Sequence, residues 1–129
     1  MGDLFVTRVA GNLVNDMILA SLEYAVEHLK APLILVLGHQ RCGAVAAALE
    51  GGQPPGHLSC LTEPLQKAAA QGRAESGDPV DNAVKANVRQ GVDTLRQAAP
   101  ILAEAVRRQT LQVAGAYYEL STGRVEIIC

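Results

Sequence analysis

Apolar residues along this 129-residue chain repeat with two different periods. From Asn15 to about Lys30, Met17, Ile18, Leu22, Ala25, Val26 and Leu29 recur every three or four positions, which predicts a helix ended by Ala31-Pro32. A second stripe, Val84, Val88, Val92 and Leu95, predicts an amphipathic helix over 81–98. Shorter helices are expected over 42–49, 58–71 and 101–108, the last entered through Pro100. Leu33-Ile34-Leu35-Val36-Leu37 is an unbroken apolar run between Pro32 and Gly38, the pattern of a parallel strand buried on both faces. Residues 4–9 read as a further strand, and 110–118 and 124–128 as a hairpin about Ser121-Thr122-Gly123. The order of elements predicts one α/β domain over 1–129: a mostly parallel β-sheet flanked by helices, with a C-terminal antiparallel hairpin.

Composition narrows the class. Hydrophobic residues make up 49% and charged residues 19%, which suits a globular chain, and with one Phe, three Tyr and no Trp the core must be aliphatic. A formal charge of −2, without a basic cluster, gives no footprint for nucleic acid or a membrane surface. No apolar run reaches the roughly 18 residues that span a bilayer. The first residues lack the basic and apolar regions of a signal peptide. Cys42, Cys60 and Cys129 form no disulfide framework, so a cytoplasmic, reducing location is expected.

The turn Gly38-His39-Gln40-Arg41-Cys42-Gly43 is where chemistry concentrates. Its glycine spacing matches a phosphate loop, but Ala44 and Val45 stand where Lys and Ser/Thr are required. Cys42 near a helix start is placed where free N–H groups and the helix dipole favour an anionic sulfur, so a nucleophilic cysteine with His39 as base is one reading. A second is a zinc site, since imidazole nitrogen and thiolate sulfur are zinc donors. A third is a buried cysteine packed as a small hydrophobe beside a histidine bonded to backbone.

Other segments bear on the choice. "GHQRCGAV" (38–45) after an apolar strand, "DLFVTRVAGN" (3–12), "SLEYAVEHLKAPLILVLGH" (21–39), "NVRQGVDTL" (87–95), Pro100 and "VAGAYYELSTGRVEII" (113–128) together resemble the β-class carbonic anhydrases along essentially the whole chain. The resemblance implies Zn2+ held by His39 and Cys42, with Gly11, Asn12, Gly38 and Gly43 structuring the surroundings. It also implies reversible hydration of carbon dioxide to bicarbonate by a homodimer or higher homo-oligomer. Some relatives act instead on carbon disulfide or carbonyl sulfide, and the motifs do not choose between these substrates.

One family motif is missing. Cys-x-Asp-Ser-Arg, which in the family supplies a third zinc ligand and an Asp–Arg pair that orients the attacking water, occurs nowhere in these residues. Its strand lies, by the resemblance, between the chain's first two, so either a gap or direct pairing of 4–9 with 33–37 is expected. Cys60, Cys129, His28, His57 and Asp3 are not expected to replace the ligand, and Arg8 is expected to form a structural or interface ion pair. No catalytic residue is assigned. Met1 suggests a short or truncated product rather than a proteolytic fragment. Two expectations follow: an enzyme completed by a ligand from another segment or chain, with low activity alone, or a silent assembly module holding zinc weakly or not at all.

Overall fold

The computed structural model describes residues 2–129; Met1 lies outside them. Helix α1 (Asp16–Leu29) starts where the Asn15 side chain accepts a hydrogen bond from the Ile18 N–H at 3.0 Å, and ends at Lys30 in the left-handed region. Strand β1 (Leu33–His39) leads through a short turn into α2 (Gly43–Glu50), with Cys42 at the N-cap. The helix expected over 58–71 is two: α3 (Ser59–Thr62) and α4 (Gln66–Ala74), with a turn at 63–65 around Pro64. Proline has no N–H to continue the helical ladder, and the chain breaks there. Helix α5 (Pro79–Gln97) is capped by Asp78, whose Oδ1 accepts from the Asp81 N–H at 2.9 Å. Helix α6 (Ile101–Arg107) and the hairpin of β2 (Gln112–Glu119) and β3 (Arg124–Ile127) complete the fold.

The sheet runs in the order β1-β2-β3. β1 and β2 are parallel, from Leu33 opposite Gln112 to His39 opposite Tyr118, and β2 and β3 are antiparallel. The expected α/β class, a parallel pair with a closing hairpin and flanking helices, is therefore observed. Helix α5 spans β1 and β2, and two buried clusters form beneath it. One joins Val26, Ile34, Val36, Val88, Val92, Leu95, Leu102 and Val113; the other joins Cys42, Val45, Leu65, Val84 and Tyr117.

Two expectations are corrected. Residues 4–9 form no strand: among the described residues no ladder reaches them, and Leu4, Phe5 and Val6 stay exposed. β-branched and aromatic residues favour a strand only where an edge is offered to pair with. That leaves the gap rather than direct pairing with β1, which is an edge strand. Nor is β1 buried on both faces. Ile34 and Val36 face the helices, whereas Leu33, Leu35 and Leu37 are 52%, 43% and 42% exposed. All the helices that bury β1 contribute to the same side, so the strand's continuous apolar run hides a two-faced environment.

Candidate metal centre

The site forms where β1 ends. At Gly38 the strand passes so close to α5 that a Cβ would lie 2.6 Å from Val88 Cγ2 and 2.8 Å from Val84 Cγ1, so only glycine fits. His39 follows, and Arg41 takes the left-handed conformation (φ 55°) that turns the chain from strand to helix. Cys42 then sits at the first turn of α2, buried, its side chain making no cap hydrogen bond.

The two donors are prepared differently. His39 Nδ1 lies 2.9 Å from the Gln40 carbonyl oxygen. A carbonyl only accepts, so Nδ1 is the donor in this contact, which leaves Nε2 as the ring atom available to a ligand. Such an outer hydrogen bond is the usual means of orienting a metal-binding imidazole. The Cys42 sulfur stands at the positive end of α2, which suits an anionic ligand. The turn is held from the hairpin: the Gln40 N–H donates to the Tyr118 carbonyl of β2 at 2.8 Å, and Gln40 Oε1 accepts from the Ser121 N–H of the β2–β3 turn at 3.3 Å.

His39 and Cys42 open on a cleft of ≈ 730 Å³ whose lining includes Gly11, Asn12, Gly38 and Gly43, so all six residues singled out in the sequence come together. Arg8 lies on the same lining, as do Leu37, Val45 and Val84, which make part of the wall apolar. Cys60, Cys129, His28 and His57 do not line it. Cys60 and Cys129 are exposed, and His28 packs its ring 4.8 Å from that of Tyr24. Among the described residues no group of three His, Cys, Asp or Glu side chains could hold a metal. The donors present fit zinc in kind and make up half of its usual set of four.

The sequence reading missed Asn87. On α5 it is buried, lines the cleft, and donates through Nδ2 to the Gly11 carbonyl at 2.8 Å, pinning the 10–12 turn. Its signal was available: a polar residue standing on the Val84–Val88–Gly91 stripe. On the same wall Asn12 Nδ2 is buried and meets no acceptor among the described residues.

Fold and site thus define an α/β protein with one nitrogen and one sulfur donor at the carboxyl end of a parallel strand. A family model described as carbonic anhydrase matches residues 1–125. The chain is 37% identical over 131 residues to a carbonic anhydrase of Mycolicibacterium smegmatis, covering 98% of this chain and 64% of that one. Its fold superposes on a tetrameric β-carbonic anhydrase of Sordaria macrospora with a TM-score of 0.89 at 32% identity, over 98% of this chain and 68% of the other. On a Coccomyxa β-carbonic anhydrase in complex with acetazolamide the TM-score is 0.86 at 35% identity, over 98% and 61%. The chain belongs to the β-carbonic anhydrase family. It spans somewhat under two thirds of the length of the Mycolicibacterium relative.

Proposed function

We propose that the chain takes part in zinc-dependent interconversion of carbon dioxide and bicarbonate, with His39 Nε2 and the Cys42 sulfur as two of the ligands. The observation that carries this reading is the prepared pair: an imidazole fixed through Nδ1 and a thiol at a helix start, three residues apart on one cleft. When bound, zinc supplies the Lewis acidity that activates water for addition to carbon dioxide. The chain's own part is to orient the two donors and to offer Leu37, Val45 and Val84 as an apolar wall for a small uncharged gas. The remaining protein ligand comes from a segment or chain outside these residues. Supporting this are the two-donor set, the unsatisfied Asn12 donor in the cleft wall and the unpaired edge of β1 beside His39. A cytoplasmic setting, which keeps the three free cysteines reduced, belongs to the same reading.

A homo-oligomer is part of the proposal as well, supported by the open apolar sheet face and by the tetrameric Sordaria macrospora neighbour. The two-donor set also favours a second reading, a silent assembly module. Zinc content and carbon dioxide hydration, measured in one preparation, separate the two. Stoichiometric zinc and turnover, both lost in Cys42→Ser, are expected for the enzyme. Protein free of zinc and without turnover would leave the module.

A further inference from the structure

A polar tie between α5 and the sheet lies level with the donor pair. Tyr117, on the helix side of β2, is the register partner of Gly38, and its hydroxyl donates to Asp81 Oδ1 at 2.6 Å. Asp81 is itself fixed in the first turn of α5 by its N–H bond to Asp78. Lys85 Nζ lies 4.8 Å from the Tyr117 ring centroid and closes that face of the ring. Tyr117 also belongs to the buried cluster that contains Cys42.

On the neighbouring strand α5 bears directly on Gly38, the residue before His39, with no side chain between them to absorb a change in spacing. The apolar contacts of Val84 and Val88 resist compression there but have little directionality. A hydrogen bond has both a length and an angle, so the Tyr117–Asp81 bond fixes where α5 sits along the sheet. We propose that Tyr117, acting through Asp81, is a positioning residue for the His39–Cys42 pair. Its functional meaning rests on the zinc reading above, while the positioning itself is a property of the metal-free chain.

The test uses the 129-residue chain as the parent protein and as Tyr117→Phe, Asp81→Asn and Leu102→Val. Two measurements are made: amide NMR spectra of the metal-free proteins, and titration with cobalt(II) followed by the sulfur-to-cobalt absorption band. Tyr117→Phe is expected to move the His39 and Cys42 amide signals and to weaken cobalt binding about tenfold, the low end of what loss of a group that orients metal ligands costs. Asp81→Asn still offers an oxygen to the hydroxyl, and Leu102→Val trims the other buried cluster. Both should keep the parent's signals and cobalt affinity. If Tyr117→Phe does not fold, Asp81→Ala removes the same bond from the helix side and gives the same readouts. Parent-like signals and cobalt affinity in the bond-deleted variant, at whatever melting temperature, would overturn the inference. If the parent binds no cobalt but deletion of the bond still moves the His39 and Cys42 signals, positioning stands and the zinc reading falls.

Discussion

Gly38 bears the closest approach between strand and helix in the site, and a methyl group there would press into Val84 and Val88. Gly38→Ala should destabilise the fold by about 1–3 kcal/mol, the range for overpacking a filled core, and lower the urea midpoint. Asn87→Ala should cost a similar ~1–3 kcal/mol, because the Gly11 carbonyl would lose its donor in a buried place. Tyr117 predicts a pH effect. Burial first, and the bond to Asp81 second, push its hydroxyl well above the ordinary phenol range. The folded state therefore holds this proton more tightly than the unfolded chain does. The stabilisation is complete below the unfolded value of about 10 and falls away as pH rises beyond it. Urea unfolding of the parent should lose stability more steeply than Tyr117→Phe above that pH, and the same slope in both would contradict it. At this scale the sequence was informative about donors and less so about their supports. His39 and Cys42 stand three apart in a single turn, whereas Tyr117 and Asp81 are brought together across 36 positions by the register of β2.

Among the elements, α5 was the most legible, because its apolar stripe is a local signal, although the helix begins at Pro79, two residues before the expected start. Asp78→Ala should remove the cap and cost about 1 kcal/mol, read as a lower thermal midpoint with an unchanged fold by circular dichroism. The reach of α4 was less legible. The helix expected over 58–71 stops short of Gly72, yet Gly72 is helical and buried, because α4 crosses α5 there: a Cβ would lie 2.6 Å from the Pro79 carbonyl oxygen and 2.7 Å from Ala83 Cβ. A glycine required by a helix crossing and one that ends a helix look alike in a single chain. The segment 4–9 failed for a related reason. Its β-branched and aromatic composition is that of a strand, but pairing is a property of two segments, and the second is not among those described.

At the scale of the whole molecule the helices gather on one side of a three-stranded sheet. The other side presents Leu33, Leu35 and Leu37 of β1 and, through the register, Val125 and Ile127 of β3, all exposed. Contiguous apolar surface of this kind marks an association site. Leu35→Lys places a charge on that face without touching the Ile34–Val36 side. Light scattering after size exclusion should show the parent as an oligomer and the variant as a smaller species; equal masses would mean the face is not the contact. The fold class was legible because strand and helix periods alternate along the chain. The openness of the second face was not, since Leu33 to Leu37 reads the same whether covered by the chain's own helices or by a neighbour.

That one-sided covering ties folding to mass action. If the leucine face of β1 is buried only against another molecule, part of the free energy that holds the strand in place comes from association and grows with protein concentration. The thermal midpoint should then climb as the sample is concentrated and flatten once assembly saturates. In Leu35→Lys it should stay constant across the same range.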